Sequence, residues 1–536
     1  MFQPMLTRFR DRFGKESWNR SRQPVVWALA LLIGVAVAYA AIVFRKAIDA
    51  VSYVFFGSGE QHLSSAVAAM PWWEILIMTT LGGALVGLVL HFLVKEKRAH
   101  NVSDVLEARA LHGGRMKLST GLRSAMVSAL SLGVGASAGR EGPIVHLGAT
   151  MGSALARRLG YIPKLNRIML GCGVAAAISA SFNAPLAGVL FALEVILGHY
   201  ALRAFAPVVI ASVVAAVISR IHLGDFPAFI VPAHEFGSYL QMPLFALLGV
   251  LGAFVAMAYM QTSMWADDQA RKLPLPLWSR PIIGGLLIGI IAIAFPQVLG
   301  VGYEATDQAL SGGFGFWLLI GLIFAKIAAT AISFASRFGG GVFSPSLYLG
   351  AMMGGAVGII AAWISPDLVT STGVYAIIGM GAVAAAVLGA PISTVLIVFE
   401  LTGDYAIMVA LMIAVSISTL MTQSFIGHSF FQWMLERRDF DQRSGAPVAL
   451  LKTIKVRDFM EPPRAQHEEA EGQDGPILYP SATLGRALDL MEARHVKVIP
   501  VWTSEEEPQL VGLVRYEVAL KAYNSALIES HIEEHQ

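Results

Sequence analysis

Long apolar stretches separated by short polar breaks run through most of the chain. Val25 to Phe44 carries no formal charge for twenty residues, which is enough to cross a hydrocarbon core as a helix. Trp72-Trp73 begins a second stretch that ends at the charged run Lys95 to Arg98, as expected for a span with an aromatic anchor. Leu244 to Met264 is also long, whereas other segments are short and interrupted by Gly or Pro. This pattern predicts an all-α multi-pass membrane protein whose short helices line a cavity.

The composition agrees with this class. Of the 536 residues, 55% are hydrophobic and only 14% are charged, against roughly 25% charged residues in soluble domains. The formal net charge of +2 gives no reason to expect nucleic acid as a partner. Cys172 is the only cysteine of the sequence, so we expect neither an intrachain disulfide nor a metal site built from cysteines.

The distribution of charge predicts the orientation in the membrane. Residues 1–22 carry six basic side chains against Asp11 and Glu16, which favours a cytoplasmic N-terminal segment that is retained rather than cleaved as a signal. Phe56 to Pro71 is then interpreted as an external loop. The segment after Arg438 has a soluble composition, so we expect both termini in the cytoplasm and an even number of crossings of the cell (inner) membrane.

Two halves of the apolar region share a residue pattern. Pro143 to Gly152 and Pro345 to Gly354 carry Pro, Leu-Gly-Ala, Met and Gly at the same offsets. Ala184 to Glu194 and Ala390 to Glu400 each place a glutamate at the same distance from an Ala-Pro pair. Such duplication predicts a transporter-like fold of two repeats, about 23–235 and 236–438, with the site at their interface. The sequence alone leaves open whether the second repeat is inverted in the membrane relative to the first.

A charged motif interrupts the first repeat at Gly139-Arg140-Glu141-Gly142-Pro143. Charged residues between apolar spans require a functional reason. Glycine permits close backbone approach and Pro143 suits a first helical turn, so the N–H groups of residues 140–142 are able to gather around an anion. Glu141 would occupy that site when ionised and leave it when protonated. The alternative is an ordinary capped helix start with an Arg–Glu pair.

Four separated motifs occur in the order found in one family. Gly139 to Pro143 matches the family's GREGP motif, and Gly341 to Pro345 matches its GxFxP motif. Phe182 to Gly188 resembles the family's helix after the first motif, and Phe399 to Tyr405 resembles the counterpart of that helix in the second half. Residues 23–438 therefore resemble the CLC family of chloride channels and chloride/proton antiporters. The resemblance implies a homodimer in the lipid bilayer, a separate pore in each subunit, two inverted repeats, and anions held at helix N-termini.

The resemblance also implies roles for single residues. Glu141 is expected to be the gating glutamate. The expected anion-binding residues are Gly139, Arg140, Gly142, Val342, Phe343, Phe431 and His100. Main-chain amides hold chloride or another small anion without the immobilising strength of a paired lysine, which lets the ion leave again.

The chain departs from the family at three positions. His100 stands where the family has a serine, and it either donates to an anion or only fills the vestibule. Phe431 stands where the family has a tyrosine and offers no hydroxyl. Val195 replaces the internal glutamate with which antiporters of the family carry protons. We therefore expect chloride transport gated by Glu141, with a passive channel favoured over a chloride/proton antiporter.

The composition changes after Arg438. We assign 439–454 as a linker, 455–525 as a small cytosolic α/β domain and 526–536 as a tail. Leu484 to Arg494 has the spacing of an amphipathic helix, and Val496 to Val501 and Leu510 to Val514 are expected strands. The domain resembles a single CBS motif. Such motifs normally pair, so either the second subunit completes the pair or the motif is a packing lid.

Other classes of function fit less well. The sequence contains no HExxH and no Ser/His/Asp arrangement that we are able to place, so we do not expect an enzyme. A sensor that is merely anchored by its spans would not need Glu141 between them. No cofactor is expected, and binding of an adenine nucleotide by the terminal domain would rest on analogy alone.

Overall fold

A computed structural model describes residues 23–159, 163–224, 239–366, 369, 371–438, 451, 454–462, 476–503 and 509–535. Our expectations for the basic segment 1–22 and for most of the linker lie outside the described residues. The chain divides into two compact units. The larger comprises most residues up to Met434, and the smaller comprises the residues from Leu435 onward together with Ala110–His112 and Ala201–Arg203.

The first half of the larger unit is helical. Its helices are α1 (Gln23–Phe56), α2 (Leu63–Ala68), α3 (Trp72–Leu93), α4 (Val102–Leu111), α5 (Leu118–Gly133), α6 (Glu141–Arg158), α7 (Pro163–Phe182), α8 (Pro185–Phe191) and α9 (Leu202–Leu223). A 3-10 turn, Glu60–His62, precedes α2, and a π-helical turn, Ala192–Leu197, extends α8. Pro185 occupies the first turn of α8, where its missing N–H costs no helical hydrogen bond.

The second half of the larger unit is also helical. Its helices are α10 (Met242–Lys272), α11 (Arg280–Ala294), α12 (Tyr303–Leu310), α13 (Phe316–Ala335), α14 (Phe343–Ile364), α15 (Thr372–Leu388), α16 (Pro391–Thr402), α17 (Tyr405–Phe425) and α18 (Phe430–Glu436). Short 3-10 turns, Tyr239–Gln241 and Pro296–Val298, precede α10 and follow α11. Pro391 begins α16 as Pro185 begins α8.

Eight helical segments among the described residues are long and apolar enough to cross a membrane. They are Gln23–Phe56, Trp72–Leu93, Leu165–Phe182, Leu202–Leu223, Met242–Lys272, Phe316–Ala335, Phe343–Ile364 and Tyr405–Glu436. Shorter apolar segments are Pro185–Leu197, Arg280–Ala294, Thr372–Leu388 and Pro391–Thr402. The predicted mixture of long spans and short apolar helices is therefore present.

The region after the first span differs from the sequence-based expectation. The helix that contains Val25 to Phe44 continues to Phe56, and the 3-10 turn at Glu60 and helix α2 follow within the expected loop. Leu63 and Val67 are buried, and they belong to an apolar cluster that also contains Phe56 and Leu299. Burial of these side chains explains why residues 56–71 fold against the helices rather than forming a plain loop.

Glycines let the helices of each half pack closely at equivalent positions. A Cβ on Gly148 of α6 would lie 2.3 Å from the carbonyl oxygen of Gly173 on α7. In the second half, a Cβ on Gly350 of α14 would lie 2.2 Å from the carbonyl oxygen of Gly379 on α15. Both distances are too short for any side chain, so the shared glycines of the two repeats are positions of backbone contact.

The smaller unit is an α/β structure, described here by itself. It contains α19 (Leu484–Arg494), β1 (Val498–Trp502), β2 (Leu510–Arg515) and α20 (Tyr516–His535). The two strands pair antiparallel with an irregularity between Val501 and Trp502. Ile499, Val501 and Val514 of the strands and Ala487 and Met491 of α19 share one buried cluster. The predicted helix and strands are confirmed, whereas residues 526–535, which we expected to be a tail, continue α20.

Candidate functional site

A small buried cavity lies where three helices begin. Helices α4, α6 and α14 start at residues that line it, and α18 contributes two phenyl rings. The lining residues are Asn101, Val102, Glu141, Gly142, Val145, Ile178, Phe191, Gly341, Val342, Phe343, Phe430 and Phe431. The first N–H groups of a helix have no partner within the helix, and its N-terminus carries a partial positive charge. The cavity therefore presents main-chain dipoles, while no lysine or arginine occurs among these lining residues.

Main-chain hydrogen bonds join the starts of α6 and α14. The Gly139 N–H donates to the Gly341 carbonyl and the Gly341 N–H donates to the Gly139 carbonyl, each at 2.7 Å. This antiparallel bridge links matching positions of the two repeats. A Cβ on Gly139 would lie 2.8 Å from Glu141 Oε2, and one on Gly142 would lie 3.0 Å from Gly341 Cα. Glycine at these positions therefore makes room for the bridge and for the carboxylate.

The Glu141 carboxylate is held inside the protein by two hydroxyl groups. Its Oε1 accepts from Tyr303 Oη at 3.0 Å and from Ser344 Oγ at 2.6 Å. Glu141 is only 1% exposed, and its Oε2 has no hydrogen-bond partner among the described residues. The arrangement stabilises an ionised carboxylate through one oxygen and leaves the other without such support.

Arg140 points to a different partner. Its Nη1 lies 3.2 Å from Glu60 Oε2, and its guanidinium carbon lies 4.4 Å from the centroid of the Tyr303 ring. Among the described residues, no ion pair within 4.0 Å joins Arg140 to Glu141, and Arg140 makes no side-chain cap to α6. The alternative of an Arg–Glu pair within the motif is therefore not what the structure shows, because Arg140 forms its ion pair with Glu60 instead of with Glu141.

A reciprocal pair of contacts joins the two repeats away from the cavity. Glu194 accepts from the N–H groups of Ile392 and Ser393 at 3.1 and 2.8 Å, at the start of α16. Glu400 accepts from the N–H groups of Leu186 and Ala187 at 2.9 and 2.8 Å, at the start of α8. Each glutamate thus satisfies the free amides of the other repeat's short helix.

His100 does not line the cavity, whereas its neighbour Asn101 does. The His100 ring nitrogens lie 3.1 Å from Glu96 Oε2 and 3.1 Å from Asp104 Oδ1. Asp104 also accepts from the Asn101 N–H at 2.8 Å and forms an ion pair with Arg98 at 2.6 Å. Burial acts to lower the pKa of Arg98, but the hydrogen bond and charge of Asp104 outweigh it and raise this pKa above its ordinary value.

These contacts direct the His100 side chain towards the carboxylates of Glu96 and Asp104. The following residue, Asn101, lines the cavity at the position where we expected His100. Its Oδ1 accepts from the Ser103 N–H at 3.0 Å, which fixes the side chain at the start of α4.

The structure brings most of the other expected site residues together. Gly142, Val342, Phe343 and Phe431 line the cavity with Glu141, whereas Gly139 and Arg140 are not among its lining residues. Phe343 is packed by Phe182, with ring centroids 5.0 Å apart. Phe431 is 4% exposed and presents an apolar ring. Val195 lies in the π-helical turn after α8, next to Glu194.

Sequence reasoning missed Glu60, Tyr303 and Ser344. Ser344 lies inside the GxFxP motif, so motif analysis could have found it. A serine at that position did not by itself indicate a hydrogen bond to Glu141. Glu60 and Tyr303 are 81 and 162 residues from Glu141 and belong to short helices that the apolar pattern did not predict.

Comparison with known proteins places this geometry in a family. A family profile described as "Voltage gated chloride channel" matches residues 82–423. The chain belongs to this family. A putative chloride channel protein, ClcB-like, of Ralstonia nicotianae is 33% identical over 392 residues, covering 72% of this chain and 91% of the relative. The CLC-e chloride channel protein of Arabidopsis thaliana is 31% identical, covering 75% of this chain and 60% of that relative.

Solved structures share the CLC fold. A slow cyanobacterial Cl⁻/H⁺ antiporter has a TM-score of 0.68 at 22% identity, covering 77% of this chain and 97% of that structure. A CLC-type fluoride/proton antiporter has a TM-score of 0.63 at 19% identity, covering 77% of this chain and 98% of that structure. At these identities the likeness concerns the fold alone.

Proposed function

We propose that this CLC chain transports chloride or another small anion across a membrane through its own cavity. The observation that carries the proposal is the convergence of three helix N-termini on a cavity that contains a carboxylate and no lining lysine or arginine. Main-chain N–H groups and helix dipoles attract an anion and still release it, as a conduction pathway requires. The names of the relatives, which are chloride channel proteins, support the same substrate.

We infer that Glu141 is the gate. In the closed state its ionised carboxylate occupies the helix start and is held by Tyr303 and Ser344. Protonation removes the charge that these donors and the α6 dipole stabilise, so the side chain leaves and an anion takes its place. A high anion concentration favours the same exchange by mass action.

Passive conduction is the form of transport that we favour. Val195 offers no carboxyl group for a proton, and the neighbouring Glu194 is engaged by the amides of Ile392 and Ser393. Phe431 contributes an apolar ring to the cavity instead of a hydroxyl. The alternative is coupled exchange of chloride for protons; the two similar solved structures are a Cl⁻/H⁺ antiporter and a fluoride/proton antiporter.

The wider arrangement follows the same reasoning. We place the protein in the cell (inner) membrane as a homodimer of inverted repeats with one pathway in each subunit and both termini in the cytoplasm. The reciprocal contacts of Glu194 and Glu400 support an approximate two-fold relation between the repeats. The smaller unit is proposed as a single CBS-like domain.

Ion efflux from reconstituted vesicles tests anion transport. Vesicles loaded with KCl and diluted into a chloride-free salt are expected to release chloride only when valinomycin lets potassium balance the charge. Protein-free vesicles serve as the comparison and are expected to retain chloride with and without valinomycin. Release of potassium without valinomycin would contradict an anion-selective pathway.

A further inference from the structure

A lysine is completely buried in the larger unit. Lys326 lies on α13 and is 0% exposed. Among the described residues, no acidic side chain lies within 4.0 Å of its ammonium group, so it has no counter-ion in direct contact. An apolar residue of similar length would fill the same space in a spanning helix at much lower cost. Lys326 therefore requires a reason beyond packing.

The ammonium group is directed at the loop between α11 and α12. Its Nζ donates to the carbonyls of Val298 and Gly300 at 3.0 and 3.1 Å and lies 3.4 Å from the carbonyl of Val301. A protonated lysine has three N–H donors, which matches three acceptors. The ring of Tyr348 lies below it, with the centroid 4.8 Å from Nζ. The lysine is thus an internal anchor for this loop.

The anchored loop leads directly to the gate. Gly302 follows with a φ of +92°, and a Cβ there would lie 2.8 Å from the Tyr348 ring and 3.3 Å from Lys326 Nζ. The next residue, Tyr303, begins α12 and is the hydroxyl donor to Glu141 Oε1. The position of the Tyr303 hydroxyl therefore depends on the chain segment that Lys326 holds.

We propose that Lys326 is a positioning residue for the gate, which keeps Tyr303 in place to hold the Glu141 carboxylate in the closed state. The proposal rests on the proposed gating function of Glu141. The lysine touches neither the anion nor Glu141, and it acts only through residues 298–303. Its removal loosens the donor to the carboxylate without changing the cavity wall.

The pH dependence of chloride flux measures this effect, because acid opens the gate by protonating Glu141. Other titratable groups face the same region: Arg45 and Asp49 of α1, Glu60, Arg140 and Tyr303. Apart from Tyr303, which is itself varied, they are identical in every variant below. Differences between variants therefore report the substituted residue.

Tyr303→Phe removes the hydroxyl donor and is expected to raise the pH midpoint of flux by about one unit, a tenfold change in proton concentration. Lys326→Met is expected to shift the midpoint in the same direction and by no more than this. Added to Tyr303→Phe, Lys326→Met is expected to produce no further shift, because the donor that it positions is already absent. Lys326→Gln, which retains N–H donors, is expected to produce a smaller shift.

Tyr259→Phe is the matched control, since the buried Tyr259 hydroxyl has no hydrogen-bond partner among the described residues. Its midpoint should equal that of the parent. An equal shift from Lys326→Met in the parent and in the Tyr303→Phe background would overturn the proposal and assign the effect to the lysine charge itself. A folded Lys326→Met protein with the parent's midpoint would also overturn it, as would a Lys326→Gln shift as large as that of Lys326→Met. If Glu141→Gln retains the parent's pH dependence, the proposed gate itself is wrong, which separates that failure from this one.

Discussion

Ser344→Ala removes one of the two hydroxyl donors to the gate and leaves the rest of the cavity in place. The Ser344 Oγ donates to Glu141 Oε1 at 2.6 Å, and the serine is 2% exposed, so solvent does not replace the bond. A hydrogen bond to a charged group contributes about 1.5–3 kcal/mol. This energy stabilises the ionised, closed state only. Its loss favours protonation and opening, and at 1.36 kcal/mol per pH unit we expect the midpoint of flux to rise by about 1–2 units.

The assay is chloride efflux from reconstituted vesicles over a pH series. Ser346→Ala is the control, because Ser346 is also buried on α14 but donates to the Phe343 carbonyl at 2.6 Å instead of to the gate. Its midpoint should remain that of the parent. If both alanine variants move the midpoint equally, the shift comes from packing of α14. If Ser344→Ala leaves it unchanged, Ser344 does not stabilise the closed gate and our reasoning is refuted.

Two further predictions concern selectivity and coupling. Phe343→Leu should preserve the preference for chloride in reversal-potential measurements, because the proposed ligand at this position is the main-chain N–H; loss of chloride discrimination in a folded variant would show that the ring is required. A pH gradient alone should not drive chloride into sealed vesicles, because Val195 carries no proton; sustained uphill uptake powered by that gradient would establish the exchanger instead.

The sequence carried the information that is local or repeated. Apolar length predicted the spans, and the duplicated offsets around Pro143 and Pro345 predicted that two helix starts would be equivalent. The spans and the duplicated motifs depend only on residues that are close together in the chain, so they are detectable from the sequence. The glycines of the motifs likewise indicated close backbone approach, which the bridge between Gly139 and Gly341 shows.

What the sequence did not carry is the pairing of distant side chains. Glu60 and Tyr303 reach the motif only because 3-10 and short α-helical turns fold back against the spans, and their composition resembles that of loops. The place of His100 depended on the residue at which α4 begins. Since that helix starts at Val102, Asn101 is the residue that lines the cavity. The carboxylates of Glu96 and Asp104 contact the His100 ring.

The role of Glu141 as the gate is the central claim, and chloride efflux across a pH series tests it most directly. Glu141→Gln keeps the size of the side chain and removes the charge that Tyr303, Ser344 and the α6 dipole stabilise. The parent should show flux that rises as the pH falls, whereas Glu141→Gln should conduct chloride at every pH with little dependence on it. A Glu141→Gln protein that retains the parent's full pH dependence would contradict the account, because the titrating gate would then be another residue.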